Sequence, residues 1–419
     1  MLLCLFVYLL ISFVILRLSL AIYHRYWNPL FLFYIMLTFG VLSSVFGIKE
    51  LKIKDDELEN GILWLSIGSF LLSISFLTAQ MRRIKVNKKR IVQYKKSALS
   101  KLTTVCLIIS IAQLCLSYIT FIELADGDIT RLFIENASIR ADYLTREDGS
   151  PIVTSLGVIL GVNFRCLLCL FPEAIKQRCR YVVPKLIIIL LMELASSVLT
   201  MSKEAFLMVC ILLISAYSIQ LNTKKLEIQF IKKYSIFFAI LIVSIILLTS
   251  IQRNYTDERY DNYFYAVTGT IYGYIGMPVS AFCALASFPS AYFGGSQCFR
   301  PFYNILSHLG IVERISIIQD PIRGNVNVYS MFGNMYNDFG FAGIIFLSII
   351  IGILLGLLYY VRQDNRICAV VTNSVILMTM FWGYYDFKLI QTVYPFTIIY
   401  VYIIERLLRK KIYLINNEK

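Results

Sequence analysis

The feature that most constrains this chain is the recurrence of apolar runs, each about 20 residues long and almost without charge. Wound as α-helix, a run of that length crosses a hydrocarbon core of about 30 Å. Inside lipid, every backbone N–H and C=O must be satisfied within the protein, and a helix does so within a single segment. Eleven runs are read, over 1–21, 28–48, 61–80, 102–122, 151–172, 184–201, 204–220, 234–251, 341–361, 367–385 and 389–405. They predict an all-α polytopic membrane protein of about 11 transmembrane helices. Composition agrees: 58% of the 419 residues are hydrophobic and 16% are charged, against about 25% charged in soluble proteins. The first 21 residues lack a basic n-region and a small-residue cleavage site, so they read as a span and not as a cleaved signal.

Charge asymmetry orients the spans, because loops rich in Lys and Arg stay cytoplasmic. Residues 81–101, MRRIKVNKKRIVQYKKSALSK, hold nine basic residues and no acid. Placing that loop inside makes the N-terminus external and the C-terminus cytoplasmic. The predicted cytoplasmic segments then total +21 and the external ones −7, which gives the net +14 of the chain because Arg17, Arg165, Glu193 and Glu405 cancel. The basic balance thus reports membrane orientation and predicts no nucleic-acid partner; anionic lipid headgroups are the expected partners of the basic loops. Three segments follow: 1–251 with helices 1–8, 252–340 as a large external loop carrying membrane-associated helices, and 341–419 with helices 9–11 and a basic cytoplasmic tail. The run 262–299 has no charge but is interrupted by Gly269, Gly273, Gly276 and Pro278. That pattern suits a re-entrant or surface-lying element and not a clean span.

Metal and disulfide chemistry find little footing. Two histidines and no HExxH motif exclude a His-rich zinc site, and no cofactor is expected. The CxxC of Cys166 and Cys169 lies in an apolar helix and reads as packing. Cys283 and Cys298 share the external loop, which leaves a bridge between them open.

The loop 252–339 carries the functional signal. It holds five arginines, Arg253, Arg259, Arg300, Arg314 and Arg323, and no lysine, and 18 of its 88 residues are Tyr or Phe. Arginine is preferred where a planar fork must grip phosphate or carboxylate at two points, and aromatic faces suit sugar rings. The bland reading is that aromatics mark any membrane interface and that the arginines pair with the loop's own acids. The acidic external loop 123–150 reads as a solvated lid or an acceptor-side wall. Inside the membrane, Arg165 either pairs with Glu193, snorkels, or serves function. Lys203, at the outer end of helix six, answers either the helix dipole or a phosphate.

The residues NVYSMFGNMYNDFG, 327–340, stand directly before span nine. Asn327, Tyr329 and Asn334 offer hydrogen bonds to sugar or phosphate oxygens, and Gly333 and Gly340 permit close backbone approach. Asp338 sits where an acid caps the following helix, or where it can act on a substrate.

The chain resembles the bacterial oligosaccharide repeat unit polymerases, the O-antigen polymerase family. The layout is similar, with a large external loop between late helices and a cation after helix six, where Lys203 replaces the usual arginine. CFRPFYNILSHLGI (298–311) and NVNVYSMFGNMYNDFGFAG (325–343) resemble family segments. The resemblance implies a GT-C-like fold in the bacterial inner membrane. It also implies transfer of a growing glycan from undecaprenyl diphosphate to an incoming undecaprenyl-diphosphate-linked repeat unit at the periplasmic face. A chain-length regulator is a further expected partner. Cations must then meet the leaving diphosphate; the loop arginines, Lys203 and Arg165 are candidates, with Asn327 and Tyr329 as substrate contacts. A base must take the attacking hydroxyl's proton; Asp338, His308 and Asp257 are candidates. An O-antigen ligase shares this layout. A lipid-linked oligosaccharide flippase or transporter is the rival from another class, usually marked by inverted repeats that the sequence does not show.

Overall fold

The computed structural model describes residues 1–47, 53–84, 89–94, 96–128, 131, 174, 179–199, 211–218, 225–226, 228–229, 232–233, 275–313, 328–359, 367–391 and 393–415. Its helices are α1 (Leu2–Tyr23), α2 (Pro29–Phe46), α3 (Asp55–Ile84), α4 (Lys96–Leu124), α5 (Val183–Leu199), α6 (Met277–Leu285), α7 (Arg300–His308), α8 (Met331–Leu358), α9 (Ile367–Trp382) and α10 (Val393–Leu408). Four of them, α1, α2, α3 and α8, are long and apolar enough to cross a membrane, so this is a helical membrane protein. The predicted spans 151–172 and 234–251, and all of 204–220 except 211–218, lie outside the described residues.

Local sequence explains the helix ends. α1 stops at His24, which turns left-handed (φ 52°). Asn28 then starts α2: its side chain accepts the Phe31 N–H at 2.9 Å, with Pro29 at the first helical position. Asp55, Asp56 and Glu57 fill the first turn of α3, where the dipole favours acids. Hydroxyls inside the apolar helices are satisfied on the preceding turn, as with Ser66 on Ile62 O (2.7 Å) and Ser73 on Ser69 O (2.7 Å).

α3 and α8 form the central pair and run parallel. Trp64 stacks on Phe341 (4.1 Å between centroids), Gly352 faces Leu72, Gly356 faces Phe76, and Gln80 Nε2 donates to Tyr359 O at 2.9 Å. Ser348, Gly352 and Gly356 recur every four residues on one helix face. A Cβ at Gly356 would lie 2.6 Å from Phe76 O. Without a hydrophobic drive between helices in lipid, this small-residue stripe lets the backbones close up and gain dispersion contact.

The sequence did not signal a two-stranded ribbon. β1 (Lys89–Tyr94) pairs antiparallel with β2 (Arg409–Ile415), with Lys89 opposite Ile415 and Gln93 opposite Lys411. The ribbon joins the basic loop after α3 to the basic tail after α10, so these two segments lie on one side of the helix bundle. The far end gathers Met1, whose ammonium pairs with Glu59 at 2.8 Å, and the start of α3.

The ninth expected span does begin at 341, and a short helical arm that was not expected precedes it. α8 begins at Met331 and breaks at Phe339 and Gly340, where Gly340 takes φ 62° and ψ −150°. The break folds the chain back on itself: Gly343 abuts Met335 O, and Ser348 Oγ reaches Met335 Sδ at 3.6 Å. In one straight helix, residues 335 and 348 would stand about 20 Å apart. α8 is therefore a short arm, 331–338, packed against a long helix, 341–358.

Candidate functional site

The arm 331–338 meets two other irregular segments at the end of the bundle opposite the ribbon. The first is α6 with the loop after it. α6 is nine residues long and almost wholly buried, rising about 14 Å, too short to cross a bilayer. It wedges between α2 and α3. Ser44 Oγ donates to Gly276 O (2.9 Å), and Gly61 has no room for a Cβ against Cys283. The uncharged run 262–299 thus contains a short buried helix over 277–285.

Asp338 clasps the loop after α6. It is fully buried; its Oδ1 accepts the Gln297 N–H at 3.0 Å and its Oδ2 the Cys298 N–H at 2.7 Å. Phe293 N–H donates to Asn337 O (3.1 Å) and Gly294 N–H to Asp338 O (3.3 Å). Asn60 Nδ2 and Tyr336 Oη hold the carbonyls of Ala286 and Phe288. Asp338 therefore does not cap the start of a helix; it is the last residue before the break, and its carboxylate organises a neighbouring loop. Cys283 and Cys298 are free thiols, not a bridge. Burial, and then the adjacent Asp338 charge, push the Cys298 thiol well above its ordinary range.

The second segment is the turn between α9 and α10. The described part of α9 has 16 residues, a rise of about 24 Å. A Cβ on Gly40 would lie 3.4 Å from the Tyr384 ring, and α2 continues six residues beyond Gly40 to Phe46, about 9 Å. The turn is recessed below the end of α2 and roofed by the arm. Met331 N–H donates to Gly383 O at 3.0 Å, and Ser330 N–H to Pro278 O at 3.3 Å.

In this recess lies a buried ion pair that the sequence reading passed over as a neutral three-residue loop. Lys388 Nζ is 3.3 Å from Asp386 Oδ2, with the lysine side chain 1% exposed and the aspartate 16%. The ammonium lies 5.6 Å from the Trp382 ring centroid and 5.7 Å from that of Tyr385. Asp386 Oδ1 accepts from Phe387 N–H (2.8 Å) and from Asn334 Nδ2 on the arm (3.4 Å). Ser330, one turn before Asn334, and Trp382 each hold a buried polar atom, Oγ and Nε1, without a hydrogen-bond partner among the described residues. The legible signal was an Asp-x-Lys set between two apolar helices and beside the aromatic run WGYY (382–385).

Of the residues predicted from sequence, Asn334 reaches this recess, Asp338 holds the loop after α6, and Tyr329 is buried with its Cβ against Gly333. Arg300 is the first residue of α7, two positions beyond Cys298. His308 ends that helix; its side chain is outside the description. Asp257, Arg253, Arg259, Arg314, Arg323, Asn327, Lys203 and Arg165 lie outside the described residues.

Fold and site together define a helical membrane protein with a broken helix and a buried charge pair at one end. No protein-family model, curated protein or solved structure matches the chain.

Proposed function

We propose that the chain is an inner-membrane glycosyltransferase that joins undecaprenyl-diphosphate-linked oligosaccharide repeat units at the periplasmic face, as the resemblance of 298–311 and 325–343 implies. The observation that carries this reading is the recessed cluster of Asn334, Asp386 and Lys388 beneath the arm formed by that second block. An ion pair inside a membrane protein costs several kcal/mol in desolvation and is by default a functional feature. Amide, carboxylate, ammonium and the rings of Trp382, Tyr384 and Tyr385 make a set suited to sugar hydroxyls and sugar faces.

Three further features support it. The β1·β2 ribbon puts the segments read as cytoplasmic on one side, as an external N-terminus and cytoplasmic C-terminus require. α7 exposes Phe302, Ile305 and Leu309 along one stripe and carries Arg300, Asn304 and Ser307 opposite. Such a helix lies in the membrane surface, the level of a lipid-borne diphosphate. Arg300, the first residue of that helix, supplies a guanidinium at the same level.

Loss of the gene is expected to leave surface glycan capped at one repeat unit, and re-expression of the full chain to restore a ladder. Arg300→Ala should shorten the ladder at equal protein level, with Arg300→Lys no better. Complete loss of surface glycan in the knockout would instead favour the transporter reading. The two short buried helix segments, α6 and the arm, lend that rival weight, because discontinuous helices line transporter sites.

A further inference from the structure

We infer that Asp386 is the general base of the transfer, held in place by Lys388 and Asn334; this inference rests on the glycosyl-transfer reading above. The sequence offers two carboxylates, Asp338 and Asp257, and one imidazole, His308, as candidates, and the geometry singles out a further carboxylate. Asp338 is enclosed, with each oxygen already accepting a backbone amide. Asp386 is partly open at 16%. Its Oδ1 is fixed by Phe387 N–H and Asn334 Nδ2, whereas among the described residues its Oδ2 meets only Lys388 Nζ, at a long 3.3 Å. A carboxylate oxygen accepts two hydrogen bonds, so Oδ2 retains a lone pair for a hydroxyl proton.

The surroundings suit an acceptor sugar. Trp382 and Tyr384 stack with 12° between their ring planes, and Tyr385 meets Trp382 edge-on at 5.4 Å, so an aromatic cluster surrounds the ammonium that pairs with the carboxylate. Asn334 ties Asp386 to the arm, which places the base directly under the block that resembles the polymerases. Lys388 is a positioning residue: its buried ammonium holds Oδ2 in the recess, and the Trp382 and Tyr385 rings hold the ammonium.

The step balances as a single displacement. The acceptor hydroxyl loses its proton to Asp386 Oδ2, and its oxygen forms a bond to the anomeric carbon of the donor. The bond from that carbon to the diphosphate oxygen breaks, and undecaprenyl diphosphate departs with the electron pair. Asp386 then releases the proton to water. Such a displacement inverts the anomeric centre.

The test uses the full chain in phospholipid vesicles, with undecaprenyl-diphosphate-linked repeat units extracted from a strain lacking the gene. Asp386→Asn keeps one oxygen, enough for the Phe387 N–H, and turns an N–H₂ toward Lys388, so its folded yield is compared with wild type by gel filtration and its kcat is read per folded protein. It should lower kcat about 100-fold or more, the usual range for a lost general base, with KM within about threefold. Asp386→Glu keeps the charge, shifts the carboxylate by one methylene, and should lower kcat about tenfold or more at unchanged thermal stability. Ladders from both variants within threefold of wild type overturn the assignment, as does retention of configuration in the product glycan. A wild-type protein that makes no ladder sinks the polymerase reading and this inference with it; a wild-type ladder with unaffected variants sinks this inference alone.

Discussion

Replacing Asp338 separates a structural carboxylate from a reactive one. In the structure each oxygen accepts one buried amide, from Gln297 at 3.0 Å and from Cys298 at 2.7 Å. Asp338→Asn leaves one acceptor and turns an N–H₂ toward the other amide. A hydrogen bond to a charged group contributes about 1.5–3 kcal/mol, so the loop should open more often by that amount. At about 1.4 kcal/mol per factor of ten, the loop amides, Gln297 and Cys298 among them, should exchange with deuterium roughly 10- to 150-fold faster. Asp338→Ala removes both acceptors and should cost about twice as much. Hydrogen exchange read by mass spectrometry on peptides covering 293–299 provides the measurement, with α3 peptides as internal control. If Asp338→Asn leaves exchange at 293–299 unchanged and still abolishes glycan polymerisation, the clasp account is wrong and Asp338 belongs to the chemistry.

Gly340→Ala should destabilise the protein by about 1–3 kcal/mol, because φ 62° with ψ −150° is a conformation for glycine; an unchanged thermal half-life in detergent would argue against the break. Gly356→Val should push α8 off α3 and reduce the folded yield in gel filtration, since its Cβ would meet Phe76 O. Lys388→Met should destabilise through the unpaired Asp386 it leaves behind, by up to about 3–5 kcal/mol and less for the partial exposure of Asp386, and the double variant with Asp386→Asn should recover most of the loss. The Cys298 thiol holds its proton longer in the fold than in the unfolded chain. Its contribution is thus complete below about pH 8.5, the unfolded value, and declines as pH rises above it. Cys298→Ser should lessen that alkaline loss in melting curves taken from pH 7 to pH 10.

The helical membrane fold was legible because apolar run length is a direct physical requirement of the bilayer. The expected spans 1–21, 28–48 and 102–122 each fall on a helix that begins or ends within a few residues of them. Where polar residues interrupt the pattern, hydropathy finds the start of the long helix and hides the short one before it. Hydropathy placed the ninth span at 341 because NVYSMFGNMYNDFG is polar, yet those residues continue as helix from Met331 and fold back at Gly340. Glycine in that block was read as room for a ligand, whereas Gly340 serves a reversal and Gly333 packs on Tyr329. Lys388 and Asp386 cancel in a charge count, so a method that weighs loops by net charge cannot see them. The Ser348, Gly352, Gly356 spacing is legible in the sequence as a small-residue stripe, but hydropathy registers only the length of the apolar run that contains it. The ribbon escaped because strand pairing between residues 89–94 and 409–415 is a long-range property that neither segment encodes alone.

The broken helix also constrains where a lipid diphosphate can be held. A half-helix N-terminus is a ready anion site when its amides are free. Here the Ser330 and Met331 amides already donate to Pro278 O and Gly383 O. Those two carbonyls are the arm's caps, and they join α6, the arm and the α9–α10 turn into one unit. An anion placed there would have to displace them and leave buried carbonyls unmatched, at a cost of about 1–3 kcal/mol each. On the polymerase reading the phosphates must therefore be gripped elsewhere, by cations at the surface such as Arg300 on the amphipathic α7. On that reading the cations meet the leaving diphosphate on the side of the anomeric carbon opposite Asp386, because the attacking and leaving oxygens flank one carbon. A substrate held in this way has its lipid end at the interface and its sugar end directed into the protein, the arrangement that a lipid-linked oligosaccharide provides.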